Sequence, residues 1–377
     1  MAQGDADLSA PAGPGPGGAE LSTAPKALLH DHLDGGLRPE TVVELADECG
    51  WVLPSTDVDE LQAWFTRGAE TGDLLQYLAT FQHTIAVLQT ADALERVAAE
   101  AVVDLAADGV CYAELRFAPE LHVALDPEGA VEAVTAGFRR GEAEAAARGQ
   151  TISSHLICCA MRTADRSLEI ARLVDRMRGR DAKVVAFDLA GAETGFPPSR
   201  HAEALAFARR RHLNVTIHAS EPPDLELIDD AIVHGAHRIG HGVRLGRDTS
   251  PDADAPGGLR LGPLARYVLD RQVHLELAPT CNVQIGAVAS IADHPLGPFL
   301  RAGLSVGVNT DNRLMSGVMP SSEVAAVAAA FELTWSEIEQ LAINAIEAGF
   351  APIEERRRII DDVVRPAYAA LASPSAT

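Results

Sequence analysis

Short apolar, β-branched runs recur along the chain, each followed by polar or glycine-containing residues and then by a stretch rich in Ala, Leu, Glu and Arg. Eight runs carry the strand signature: residues 26–34, 109–119, 151–162, 182–191, 213–220, 238–245, 273–280 and 304–312. Strands alternating with helical stretches pair in parallel, and eight such units in roughly 350 residues predict an α/β protein with a closed (β/α)8 TIM barrel. An open doubly wound sheet is the structural alternative, but no glycine-rich phosphate fingerprint follows the first strand. No short-period repeat of the solenoid kind interrupts the pattern.

The gap between the first and second runs is far longer than the others and holds four helical patterns, at 39–49, 58–67, 73–88 and 91–107. In the third, Leu74, Leu78, Phe81, Ile85 and Leu88 form an apolar stripe at helical spacing. Such a stripe reads as a face packed on the core. Because the insertion leaves the strand that carries a histidine pair, it can instead cover the barrel mouth as a helical lid around 39–107, with Tyr77 and Phe81 facing a ligand.

Composition narrows the class. A chain of 377 residues that is 47% hydrophobic can bury a large core, and the repeating pattern reads as a single domain over 25–370. The formal charge of −23 repels polyphosphates and anionic membranes, so nucleic acid polymers and membrane surfaces are excluded as expected partners. Residues 1–24 have no basic start and no apolar segment, which excludes a signal peptide or anchor and predicts a disordered tail in a cytoplasmic protein. Residues 371–377 predict a short disordered tail at the other end. Five cysteines, at 49, 111, 158, 159 and 281, contain no C-x-x-C pair and fit reduced, mostly buried thiols. Cys158 and Cys159 are expected to face opposite sides of a strand as packing groups. Nothing in the pattern specifies the oligomeric state.

Polar residues cluster where the strands end. The first strand brings His30, His32 and Asp34, the second Glu114 and Arg116, the fourth Asp188 and Gly191, the fifth His218 and Glu221, the sixth His241, and the eighth Asp311 and Asn312. In a barrel these converge on the carboxyl-end face, where the active sites of this fold lie. Side chains two apart on a strand point the same way, so His30 and His32 form half of a metal site. His218 and Asp311 complete a set of four candidate ligands, and Glu221 reaches a substrate from the same rim, a combination that points to a metal hydrolase. Of the remaining histidines, His83, His122, His155, His201, His212, His234, His237 and His274 are expected to be mostly surface or structural. His294, in Asp293-His294-Pro295, stands apart. His201-Ala202-Glu203 imitates the first half of the cytidine-type deaminase motif, but no Pro-Cys-x-x-Cys follows, and the pair reads as part of a solvated helix.

Taken together and in order, the segments Pro25-Lys-Ala-Leu-Leu-His-Asp-His-Leu-Asp-Gly-Gly36, Tyr112-Ala-Glu-Leu-Arg-Phe-Ala-Pro119, Phe187-Asp-Leu-Ala-Gly191, Thr216-Ile-His-Ala-Ser-Glu221, Arg238-Ile-Gly-His-Gly-Val243 and Val308-Asn-Thr-Asp-Asn312 closely resemble the adenosine deaminases of the amidohydrolase superfamily. The likeness runs from about Pro25 to about Tyr368. It implies one Zn2+ per chain, held by His30, His32, His218 and Asp311. Binuclear relatives use a modified lysine late in the fourth strand, where this chain reads Phe187-Asp-Leu-Ala with Lys183 at the other end. The resemblance further implies Glu221 as proton donor to ring nitrogen 1 of a purine. His241 would orient the attacking water and stabilise its developing charge, aided by Asp311. It places the Gly191 N–H on ring nitrogen 3, Asn312 near ring nitrogen 7, and Asp34 and His32 near the ribose 5′-hydroxyl.

The implied activity is hydrolytic deamination of adenosine and deoxyadenosine to inosine, deoxyinosine and ammonia, with a small purine nucleoside as the partner molecule. Deaminases of another 6-aminopurine (adenine, a modified adenosine or aminodeoxyfutalosine) form the runner-up class, and a catalytically silent nucleoside-binding relative the third. Two departures mark the chain. The family's usual His-Ala-Gly-Glu reads His218-Ala219-Ser220-Glu221, which is expected to add a Cβ and a hydroxyl beside the purine. The second Asp found after the metal-binding Asp in many relatives is Asn312, whose amide can still donate to an acceptor nitrogen.

Overall fold

In the computed structural model of the protein, residues 18–222 and 224–373 are described. Ten strands occur among them: β1 (Lys26–His32), β2 (Val110–Phe117), β3 (Ser153–Met161), β4 (Val184–Ala190), β5 (Asn214–Ala219), β6 (Arg238–His241), β7 (Thr249–Pro251), β8 (Leu259–Leu261), β9 (His274–Leu277) and β10 (Val306–Val308). Eight of them form one parallel sheet in the order β1-β2-β3-β4-β5-β6-β9-β10. The seam between β10 and β1 carries a single bridge, Asp31 to Asp311. There the His32 N–H donates to the Asp311 carbonyl at 2.7 Å and the Asp311 N–H to the His30 carbonyl at 2.9 Å. The Asn309 Oδ1 accepts the Leu29 and His30 N–H groups at 2.9 and 3.0 Å, replacing a strand neighbour with a side chain. The sheet is thereby a (β/α)8 barrel, with helices packed around it, as the alternating pattern predicts.

All eight expected strands are present, though β9 and β10 are much shorter than the apolar runs that contain them. The run at 273–280 ends early because Pro279 opens a helix, Pro279–Gln284, at a first-turn position that tolerates a missing N–H. The antiparallel pair β7–β8 lies outside the barrel and has no counterpart in the sequence reading.

The long insertion is helical as expected, in segments Pro39–Cys49, Val58–Ala69, Leu74–Ala79, Phe81–Val87 and Ala91–Ala107. The pattern at 73–88 is therefore two helices. Thr80 divides them: its hydroxyl donates to the Tyr77 carbonyl at 2.7 Å and its N–H to the same carbonyl at 3.1 Å, tightening the turn.

The expected tail at 1–24 requires correction over its last residues. Gly18–Thr23 form a helix, Leu21 and Ala24 are buried, and the buried Lys26 ammonium donates to the Leu21 and Ala24 carbonyls at 2.5 and 2.7 Å. One apolar anchor and a three-carbonyl lysine cap hold a segment whose composition reads as disordered. At the other end Leu371 closes the helix Arg365–Leu371. The rest of the two tail expectations, residues 1–17 and 374–377, lies outside the described residues. No helix among the described residues is long and apolar enough to cross a membrane.

Candidate active site

Strand polarity carries the chemistry to one end of the barrel. His30 and His32 close β1, His218 sits near the end of β5, His241 ends β6, and Asp311 follows β10. The His32 and His218 Nε2 atoms lie 3.1 Å apart, and Asp311 Oδ1 is 3.2 Å from His30 Nε2 and 3.5 Å from His32 Nε2. One ligand atom from each of His30, His32, His218 and Asp311 falls within 4.8 Å of all the others.

The imidazoles are aimed by groups behind them. His30 Nδ1 is 3.0 Å from Glu276 Oε2, and His218 Nδ1 is 3.1 Å from Asp188 Oδ2, so each ring keeps its proton on Nδ1 and presents a bare Nε2 inward. His30 Nε2 is buried and has no hydrogen-bond partner. Three inward nitrogens and one carboxylate oxygen form a donor set suited to a borderline-soft cation. The far oxygen of Asp311 accepts from the Cys281 thiol, with Sγ 2.8 Å from Oδ2.

A second group shares Asp311. Glu221 Oε1 lies 3.1 Å from His241 Nε2, and one ligand atom each of Glu221, His241 and Asp311 also cluster. Burial pushes the Glu221 carboxyl well above the usual carboxylate range, and the Asp311 and Glu193 charges push the same way against Arg162. Glu221 is therefore a carboxylic acid that can give a proton at neutral pH. Burial holds the His241 imidazole well below its ordinary value, and it is neutral. Asp34 is raised to about 7 by burial, and its Oδ1 is buried without a hydrogen-bond partner.

These residues form the floor of a cavity of about 200 Å3 whose walls are mostly apolar. His32, Asp34, His218, Glu221, His241, Asp311 and Asn312 line it, as do Leu74, Tyr77, Leu78, Phe81 and Ile85 from the inserted helices. Tyr77 and Phe81 thus line the cavity, while Leu88 of the same stripe is buried in the core and Tyr77 packs against it too. The Tyr77 hydroxyl is held 3.1 Å from Ser316 Oγ. Gly191 also lines the cavity, at φ +94°, where a Cβ would come within 2.9 Å of Met161 Cε. The positive angle is what favours glycine here, since the flexible end of Met161 could yield to a Cβ.

Backbone strain collects at the same place. Of the six described non-glycine residues with positive φ, three are Ser220 (+76°), His241 (+59°) and Asp311 (+57°). The Glu193 carboxylate holds the first of these turns, accepting the Ser220 N–H at 2.7 Å and the Glu221 N–H at 3.3 Å. Ser220 itself is fully buried, its hydroxyl has no partner, and it does not line the cavity. The expectation that it adds bulk beside a ligand is corrected accordingly: the left-handed turn sends its side chain into packed protein instead.

Several functional neighbours escaped the sequence reading. Cys281 and Asn282 follow β9, whose carboxyl end was the signal that would have found them. Cys158 and Cys159 do face opposite ways, but Cys159 lines the cavity and its Sγ lies 3.2 Å from Asp188 Oδ2. His201 is buried rather than on a solvated face, between Ser167 Oγ and the Arg162 carbonyl, both at 2.9 Å.

The chain matches the family model described as adenosine deaminase over residues 25–366. It is 51% identical to a protein named adenosine deaminase from Mycobacterium sp. (strain KMS), over 93% of this chain and 97% of that relative. A second of that name, from Mycobacterium avium (strain 104), is 50% identical over the same shares. Among solved structures, an adenine deaminase from Arthrobacter aurescens superposes with a TM-score of 0.78 at 28% identity, covering 93% of this chain and 100% of that one. An amidohydrolase from Burkholderia ambifaria with bound zinc reaches a TM-score of 0.79 at 22% identity, covering 94% and 93%, and shares the fold.

Proposed function

The chain belongs to the adenosine deaminase family, and from that premise we propose that it hydrolyses adenosine and deoxyadenosine to inosine, deoxyinosine and ammonia with one zinc ion per chain. The observation that carries the proposal is a carboxyl kept protonated, Glu221, 3.1 Å from a neutral imidazole, His241, beside a four-donor cluster at the floor of an apolar cavity. Hydrolysis of an aromatic amine needs a nucleophile on one face and a proton on the ring, and the proximity of Glu221 and His241 to the four-donor cluster supports that reading.

His30, His32, His218 and Asp311 would hold the zinc. When bound, it supplies the Lewis acidity that lets water lose a proton near neutral pH. Attack at C6 breaks the purine's aromaticity, so nitrogen 1 must take a proton as the new bond forms, and Glu221 donates it. His241 hydrogen-bonds the attacking oxygen, Asp311 accepts the proton that oxygen gives up, and that proton passes to the 6-amino group, which leaves as ammonia as the C6–N bond breaks and the C6 carbonyl forms. The Gly191 N–H holds nitrogen 3, and Asn312 faces nitrogen 7. The inserted helices, through Tyr77 and Phe81, cover the base and exclude bulk water.

The unpartnered Asp34 Oδ1 at the cavity wall favours a nucleoside over a free base, because a ribose 5′-hydroxyl would satisfy it together with His32. Deamination of adenine itself is the second reading, favoured by the 28% identical relative of that name. Incubating the zinc-loaded protein with adenosine, deoxyadenosine, adenine and aminodeoxyfutalosine, and following ammonia release, decides between them. Adenosine is expected to react best, and elemental analysis to return about one zinc per chain. Efficient turnover of another compound with adenosine barely touched would overturn the assignment. A metal count near two would overturn the single-ion site.

A further inference from the structure

Behind His241, on the side away from the cavity, two buried polar side chains stand in series. Asn282 Nδ2 is 3.2 Å from His241 Nδ1, and Asn282 Oδ1 is 3.2 Å from His294 Nε2. His294 Nδ1 in turn is 3.2 Å from the Leu296 N–H. Asn282 and His294 are 0% and 1% exposed. From these contacts we infer that Asn282 and His294 are positioning residues that hold His241 in the tautomer with its proton on Nε2, making it a hydrogen-bond donor to the reacting oxygen.

The polarity of the chain of contacts starts from a group that has no choice. A backbone amide can only donate, so His294 Nδ1 must be an acceptor, and a neutral ring then carries its proton on Nε2. Burial keeps that ring neutral, with its pKa lowered to about 3. The Nε2–H donates to Asn282 Oδ1. This orients the amide, whose two ends are otherwise interchangeable, and leaves the NH2 facing His241 Nδ1. His241 Nδ1 is therefore the acceptor, and the proton of the neutral imidazole lies on Nε2, the nitrogen 3.1 Å from Glu221.

Each member is fixed independently of the others. Asn282 lies in the helix Pro279–Gln284, with its N–H on the Ala278 carbonyl at 2.8 Å and its own carbonyl accepting from Ala287 at 2.8 Å and Val288 at 3.2 Å. His294 is held extended by the proline that follows it, at φ −72° and ψ 139°. A His241 so locked has no lone pair toward the cavity and cannot take a proton from water there. It stabilises charge on the attacking oxygen by donation. That role rests on the proposed deamination, whereas the tautomer itself does not.

Selective 15N labelling of the imidazoles reads the tautomer directly in the zinc-loaded protein, with the His241 signals identified by their loss in His241→Asn. The expected spectrum has His241 protonated on Nε2 and bare at Nδ1. Asn282→Asp offers a carboxylate that accepts from both rings, so it should move the His241 proton to Nδ1. That change should lower kcat by about 10²-fold or more while KM stays within about threefold and zinc content is unchanged. His294→Gln, which keeps a donor to Asn282, should retain kcat within about threefold, and His294→Leu should lose about tenfold. A wild-type His241 protonated on Nδ1 overturns the inference, as does an Asn282→Asp variant with kcat within about twofold of wild type. If the protein deaminates none of the purines, the deamination reading fails and the spectrum still decides the tautomer.

Discussion

Ser220→Gly should stabilise the protein without changing its catalysis. Ser220 has φ +76°, and a side chain in the left-handed region costs roughly 1–2 kcal/mol that glycine does not incur. Its hydroxyl is buried with no partner, a further penalty of about 1–3 kcal/mol for an unmade hydrogen bond. Against these stands the greater freedom of glycine in the unfolded chain, about 0.5–1 kcal/mol. Losing one buried methylene subtracts about 0.8 kcal/mol. The net expectation is a gain of about 1–2 kcal/mol. At roughly 2 cal/mol/K of unfolding entropy per residue, this long chain should unfold about 1–3 °C higher. Ser220→Ala separates the contributions, since it removes the hydroxyl and keeps the strained angle, so the order of stability should be Gly above Ala above Ser. Thermal unfolding of the three zinc-loaded proteins at one scan rate measures this. Because Ser220 does not line the cavity, kcat/KM for adenosine should stay within about twofold. A glycine variant no more stable than wild type would refute the strain estimate. A severalfold rise in kcat/KM would show that the serine does face the purine.

Glu221→Gln should lower turnover by at least ~10²-fold with zinc retained, because an amide cannot supply the ring proton; near-normal turnover would place the acid elsewhere. A second buried acid gives a pH signature away from the catalytic floor. Glu323, in the helix Pro320–Phe331, is raised to about 7 by burial, with Oε2 accepting the Thr280 N–H at 3.3 Å and Oε1 unpartnered. Its neutral form is favoured in the fold, so its contribution is whole below about pH 4.5 and is lost as pH rises through about 7. Glu323→Gln should therefore match wild type in thermal unfolding at pH 5 and exceed it at pH 8.5 by about 1–3 kcal/mol. Equal stability at the higher pH would contradict the raised pKa.

The barrel is legible in the sequence because its strands and helices differ in period and composition, and the catalytic face follows from the rule that strand ends converge. His30, His32, His218, His241 and Asp311 all stand at or just past strand ends, so their meeting needs no contact information. What the pattern cannot convey is direction on a turn. Ser220 is one residue past β5, where an extended chain would face it toward the barrel mouth, and the left-handed angle turns it away. Asn282 is hidden for a related reason. The apolar run before it continues to residue 280, but Pro279 ends the strand and opens a helix whose polar side chain reaches back under His241. The helix at Gly18–Thr23 depends on three carbonyl contacts from Lys26, which no local composition reveals.

The barrel interior raises a sharper point about what the charged residues are for. Arg116, Arg238, Glu114, Glu276 and Asp188 are all buried on the inner face. Arg116 pairs with Asp188 at 3.0 Å and Glu276 at 2.7 Å, and Arg238 pairs with Glu276 at 2.7 Å and Glu114 at 2.6 Å. At the lower end Glu114 accepts from the Tyr112 hydroxyl and the Phe350 N–H. A barrel of this kind is ordinarily filled with branched apolar side chains, and replacing a buried ion pair by them is often neutral or stabilising. Stability alone therefore does not account for the network. Its upper end does, because Glu276 and Asp188 are the two carboxylates that orient His30 and His218. Each carboxylate must stay ionised to hold an imidazole proton on Nδ1, and in a dry interior the paired guanidinium, together with the imidazole itself, keeps it so. Arg116 serves both, and Arg238 balances the charge that Glu276 would otherwise leave toward the base of the barrel. The alternation of strand residues shows only that these positions point inward. That they point inward as charges is the cost of aiming two histidines from below.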